Sequence, residues 1–471
     1  VSEENKTNGV SSASDWFDAT IVKEKSSRLS GVIFFLLCIV PIFSAIAYGA
    51  VDNWAVGILS IFAALIAIFW IIDAWQKNEF RFSANSLQLP VLGLLLIGLI
   101  QLLPLRSASV YAGLLDVPAS AALSLDPYLT RFAVISLVIY FVFFAAALVF
   151  INDQKRLRRT ISIIITFGAL MAFYGILQRL ANLESIYGLR PSPQAIPFAS
   201  FVNQHHFAAF MEMTAGLTLG LLFGKATKKD LNWLLLIAVV LMGIAIVLTS
   251  SRGGFLSLLG VLGFVITANL LQKPDAEKPD AAKNFRRNFA LIGGGIALIL
   301  VLFGAVILLG GDQSLLRGTG LQNAQADISS GRTHFWQIAL KIIFDYPILG
   351  VGLNAFGTAY TQYDTWNGAM RVEQAHNDYL QILADAGVLG FICIIAFIYL
   401  LFRQSLKIIG KATDRYRRSA AIGALAGCFG ILIHSFFDFP LRTPANVFFF
   451  LLLTVLATAS ISYPKLYKKE R

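Results

Sequence analysis

Apolar residues gather into twelve runs along the chain, near 31–50, 54–74, 89–105, 132–151, 160–180, 205–224, 233–250, 254–271, 290–311, 388–405, 419–437 and 445–463. As helices they suit a hydrocarbon core of about 30 Å, and the third, ending at Leu103-Pro104, is the shortest. The pattern predicts an all-α, polytopic membrane bundle of about twelve transmembrane helices. Its segments are a polar stretch 1–30, spans one to nine over 31–311, a long outer loop 312–387, spans ten to twelve over 388–463, and a tail 464–471. Most other connections are short. In the long loop, Arg332 follows Ser329-Ser330-Gly331, and Phe335, Trp336, Ala339, Ile342 and Ile343 recur at helical spacing up to Asp345-Tyr346-Pro347. That spacing predicts an amphipathic helix with its Phe and Trp in the outer membrane interface.

Composition agrees: 57% of residues are hydrophobic, 14% are charged and the mean hydropathy is +0.70, outside the range of a soluble domain. Charge then sets the orientation. With the N-terminus cytoplasmic, Lys155-Arg156-Leu157-Arg158-Arg159 and the basic stretches 225–229, 273–287, 403–418 and 465–471 all fall inside, as the positive-inside rule requires. The net charge of +11 is thereby explained by topology and by attraction to anionic lipid, with no nucleic-acid partner. The basic residues left outside are arginines except Lys341. Arginine grips phosphate bidentately, although some of these side chains serve to reach the interface from the membrane. Cys38, Cys393 and Cys428 lie in apolar runs and are expected as buried thiols. Residues 1–30 are polar, so no secretory signal is expected in them and the first run would itself direct insertion.

Candidate chemistry concentrates outside the apolar runs. The five histidines lack metal-ligand spacing, so no metal site is expected. His376 ends the long polar segment, and Asn377 or Asp378 is placed to cap a short helix whose apolar face (Leu380, Leu383, Ala384) docks on the bundle before Gly387 breaks it. Such an imidazole suits proton acceptance near neutral pH, or helix capping. Arg252 sits in Ser250-Ser251-Arg252-Gly253-Gly254, a turn from which a guanidinium reaches an anion at headgroup depth or simply snorkels. Arg332, at a helix start, is favourably placed for an anion. Asn203 and His206 before the sixth span, Arg371 and Asn377 beside His376, and His434 with Asp438 and Arg442 after the eleventh complete the candidate binding set. Helix capping is the alternative for several of them.

These residues, in this order, resemble the O-antigen ligase and polymerase family of bacterial membrane glycosyltransferases. The resemblance rests on Phe201-Val202-Asn203-Gln204-His205-His206-Phe207-Ala208, Ser251-Arg252-Gly253-Gly254, Gly331-Arg332 with Trp336, Pro347-Ile348-Leu349-Gly350-Val351-Gly352, the block 376–390, and His434-Ser435-Phe436-Phe437-Asp438-Phe439-Pro440. It covers the chain from about residue 160 onward. It implies a GT-C-like bundle in the inner membrane that takes a glycan from an undecaprenyl-diphosphate carrier, with neither nucleotide sugar nor metal. The acceptor would be a hydroxyl of lipid A core, of another glycan or of a protein, on the periplasmic face. His376 matches the family's essential histidine, and Arg252 and Arg332 its essential arginines. Asp385 stands where many members have Glu, and Gln204 where Pro or Arg is frequent; the acceptor stays open. The rival from another class is a transporter or flippase, but mid-depth charge in the spans is confined to Glu212, whereas transporters place ionisable groups at the midplane.

Overall fold

The computed structural model describes residues 27–106, 121–183, 185–193, 195–272, 281–308, 331–366 and 371–459. Residues 1–26 of the polar stretch, the tail 464–471, most of the basic stretch 273–287, and residues 312–330 and 367–370 of the long outer loop lie outside the described residues. The protein is nearly all-α, 75% helical. Its helices are α1 (Arg28–Ile46), α2 (Asn53–Lys77), α3 (Gln88–Gln101), α4 (Pro127–Phe150), α5 (Gln154–Leu180), α6 (Gln204–Phe223), α7 (Lys229–Leu248), α8 (Arg252–Leu270), α9 (Ala281–Leu308), α10 (Arg332–Asp345), α11 (Phe356–Tyr360), α12 (Asp378–Lys411), α13 (Arg415–His434) and α14 (Pro444–Thr458). A small hairpin pairs β1 (Ser185–Ile186) with β2 (Arg190–Pro191).

A helix stands at each of the twelve apolar runs. Among the described residues nine are long and apolar enough to cross a membrane, and α3 and α14 are apolar but shorter. The start of α13 carries Arg415, Arg417 and Arg418. Arg417 is buried and donates to the carbonyls of Leu456 and Ala457, so it satisfies the end of α14. Elsewhere the polar residue just before an apolar run fixes where its helix begins. Asp126 accepts from the Leu129 amide at 3.0 Å, Asp153 from Arg156 at 2.8 Å and Ser251 from Gly254 at 3.1 Å. Each satisfies an amide that a helix start leaves without a partner.

The core centres on α6, every residue of which is buried from His206 to Leu221. It is flanked by α5, α7, α8 and α13. Two small-residue steps face each other across the α6–α13 contact. A Cβ on Gly216 would fall 2.6 Å from the Gly427 nitrogen, and one on Gly220 would fall 2.3 Å from the Gly423 Cα. The two backbones therefore touch, as small residues at four-residue spacing permit in membrane helices.

Above the bundle, α10 and α11 build a satellite core with Phe335, Ile338, Ile342, Val351 and Phe356. Here the structure departs from the expected outward face. Phe335 is buried, and Trp336 donates its indole N–H to the Ala375 carbonyl at 3.0 Å, so the chain leading to His376 covers this face in place of lipid. The short helix after His376 and the following span, numbered together as α12, are two helical segments broken at Gly387, where the backbone is non-helical (φ 62°, ψ −165°) as expected. The break is fixed by a backbone clasp: Val351 donates to Ala384 at 2.9 Å, Gly352 to Asp385 at 3.0 Å and Val388 to Pro347 at 2.8 Å. A Cβ on Gly387 would lie 2.2 Å from the Ile348 oxygen, and one on Gly350 2.4 Å from the Asp385 carbonyl carbon. The side chain of Gln101 joins the clasp by donating to the carbonyls of Leu349 and Asp385 at 2.6 and 2.8 Å.

Candidate active site

Three helix starts meet around one polar cavity. The cavity, about 330 Å³, is lined by Gln204 and His205 of α6, by Ser250 to Gly253 at the head of α8, and by Arg332 of α10, with Arg179, His434 and Asp438 closing it. Arg252 and Arg332 are each the first residue of a helix. Their guanidinium charge adds to the partial positive charge of unsatisfied amides there, so the cavity is built for an anion.

His376 stands beside this cavity rather than in its wall, and is joined to it through Asp438. Its Nδ1 lies 3.1 Å from the Asp438 carboxylate, and the ring is held between Phe335 and Phe439. With Nδ1 engaged, Nε2 is the nitrogen left to serve a ligand. The backbone of His376 is left-handed (φ 51°), a conformation that the surroundings enforce. Before it, Ala375 donates to the Gln381 side chain at 2.6 Å. After it, Asn377 caps α12 through the amides of Tyr379 and Leu380 and donates to the Phe436 carbonyl at 3.1 Å, while Asp378 donates its amide to Ser435 at 2.9 Å. Burial opposes ionisation of Asp438. The His376 hydrogen bond and the charges of the neighbouring imidazoles of His205 and His206 overcome that, and hold the carboxyl well below the usual carboxylate range. A carboxylate of this kind orients an imidazole and stabilises its protonated form.

The other candidates separate. Asn203 caps α6 by accepting from the His205 amide at 2.8 Å. His206 is turned into the core, where Nδ1 meets the Thr443 hydroxyl at 2.6 Å; its neighbour His205 is the one that lines the cavity. Arg371 pairs with Glu373 at 3.1 Å, both exposed. Arg442 binds the buried Asp385 at 2.5 Å and also Asn354, beside a second, mostly apolar cavity of about 430 Å³. Arg252, Arg332 and His434 come together; Asn377 serves as a cap. The partnership of His376 with Asp438 spans 62 residues and that of His434 with Glu212 spans 222, so neither is visible in local sequence. The lone carboxyl of Glu212 in an apolar run was the one signal of the second.

The fold defines a multi-pass, nearly all-helical membrane protein with its polar chemistry at one cluster of helix ends. Within it, residues 237–395 match the family model described as O-antigen ligase, a stretch that holds Arg252, Arg332 and His376. The match is confined to residues 237–395; over that stretch it supports an O-antigen ligase or polymerase assignment, which implies an enzyme of the glycosyltransferase type. Comparison with curated proteins gives no match.

Proposed function

We propose that this enzyme moves a glycan from an undecaprenyl-diphosphate carrier to an acceptor hydroxyl at the periplasmic face of the inner membrane, crossing it with twelve helices. The observation that carries the reading is the meeting of Arg252 and Arg332 at two helix starts, in one cavity with the carboxylate that orients His376. As the glycosidic bond breaks, negative charge grows on the departing diphosphate. Fixed arginines and helix amides stabilise that charge more than they stabilise the bound donor. His376 accepts the acceptor's proton through Nε2 as the hydroxyl attacks the anomeric carbon opposite the diphosphate, so a single displacement inverts the centre. Because the arginines and helix ends meet the diphosphate charge, the reaction needs no metal. The acceptor is lipid A core, a growing polysaccharide or a protein hydroxyl.

The test is complementation of a deletion strain, followed by assay of the purified enzyme with the lipid-linked glycan that the deletion strain accumulates. His376→Ala is expected to insert normally and to lose transfer by about 10²–10⁴-fold, the usual contribution of a base. Arg252→Lys and Arg332→Lys keep charge but lose the fork, and should lose most activity. A chelator should leave the wild type active. Wild-type transfer by His376→Ala, full activity in both lysine variants, or loss on chelation with rescue by divalent metal overturns the assignment.

A further inference from the structure

A second carboxylate-held imidazole, which unlike His376 lines the cavity itself, is left idle by the reaction above. His434 Nδ1 lies 3.1 Å from Glu212 Oε2, with the two side chains 1% and 0% exposed. His434 also lines the anion cavity, and its Nε2 is 3.5 Å from the hydroxyl of Ser251, another lining residue. That hydroxyl oxygen already accepts from the Gly254 amide. Two packing features fix the ring. A Cβ on Gly253 would fall 2.8 Å from His434 Cδ2, so only glycine lets the start of α8 lie against it. The α6–α13 backbone contact sets the separation of the helices that carry Glu212 and His434.

Proton placement follows from burial. A lone buried charge is costly, so a sealed carboxyl–imidazole pair is best kept neutral overall. One proton then lies between Oε2 and Nδ1. Whichever atom holds it, the other imidazole nitrogen carries hydrogen, so an Nε2–H faces Ser251 at the wall of the cavity. Scaffolding alone does not call for such a pair, since apolar residues of similar volume stabilise a core as well or better, and ionisable groups within membrane helices generally serve function.

We propose that His434, positioned by Glu212, is the proton donor to the leaving diphosphate. This rests on the glycosyl-transfer reading above. The acceptor oxygen–carbon bond forms and the carbon–oxygen bond to phosphate breaks, its electron pair passing to the departing phosphate oxygen. The acceptor's proton goes to His376. The new negative charge on phosphate takes a hydrogen bond, and then the proton, from His434 Nε2, which water replaces as product leaves. Glu212 is a positioning residue, because it acts through His434. The charged and titratable groups around His434 are Glu212 and His205 on α6, Arg252 on α8, Arg332 on α10, Arg179 on α5 and Asp438 beyond α13.

The test uses the full chain in lipid nanodiscs, with polyprenyl-diphosphate-linked glycan extracted from a deletion strain. Glu212→Gln and His434→Gln should each slow single-turnover transfer by about 10²–10⁴-fold with donor affinity little changed. The two together should be no worse than either alone, since the pair acts as a unit. In Glu212→Gln the alkaline fall of the rate should move to lower pH. The apolar double variant Glu212→Leu with His434→Leu leaves no lone charge and should fold and bind donor without transferring. A wild-type rate and pH profile in Glu212→Gln, a loss confined to donor binding, or transfer by the apolar double variant overturns the proposal. His376→Ala and Arg252→Lys run alongside separate the two readings. If they are inactive while Glu212→Gln is normal, only the role of the pair fails; if they are fully active, the glycosyl-transfer reading fails.

Discussion

Asp438 is the residue on which the site's electrostatics turn. It is 2% exposed and shares a hydrogen bond with His376, and its carboxyl is held below the usual carboxylate range. A group whose native pKa is depressed stabilises the fold above its unfolded pKa, about 3.9, and that contribution disappears as the pH falls through the lower native value. Asp438→Asn should therefore lower thermal stability relative to wild type at pH 7, with the gap closing only in acid below about pH 4. Thermal melts in detergent across pH 3–8 check this; a gap that is equal at every pH would show that the carboxylate charge contributes nothing. The variant should also transfer glycan more slowly, because a misoriented imidazole is a poor base. Sequence showed His376 but not this partner, since the pairing depends on two loops meeting in space.

Among the elements, the clasp between 347–352 and 384–389 governs where the head of α12 points. Its glycines are required by contact as well as by φ. At Gly387 the backbone is left-handed and an added Cβ would meet the Ile348 carbonyl. Gly387→Ala should open the clasp, destabilise the outer half of the molecule and reduce transfer more than Gly410→Ala, a control with open space around it. Equal yield and activity for the two variants would dismiss the clasp. The capping of α12 by Asn377 and the break at Gly387 were legible, as was the extent of α10, because local caps and helical spacing encode them. The inward turn of Phe335 and Trp336 was not, since helical spacing identifies the apolar face of a helix without naming what covers it.

For the whole molecule, the apolar runs located the helices; of the outside arginines, Arg179, Arg252 and Arg332 line the cavity, while Arg190 and Arg371 pair with carboxylates elsewhere. The remaining expectation at this scale is orientation. A reporter placed at 272, after α8, should report cytoplasm, and one at 362, after α11, periplasm, as the distribution of lysine and arginine requires. The reverse pattern would put His376 on the wrong side for an acceptor outside the cell's cytoplasm.

The order of the site's parts along the chain has a consequence during biosynthesis. His205 and Glu212 emerge first, then Arg252, Arg332 and His376, and His434 and Asp438 last. A nascent chain inserted only as far as α12 contains Arg252, Arg332 and His376, yet lacks the carboxylate that aims one imidazole and the whole of the other. On the proposed mechanism the site is therefore complete only once α13 has packed beside α6, so transfer is expected of the finished chain and not of a half-made one.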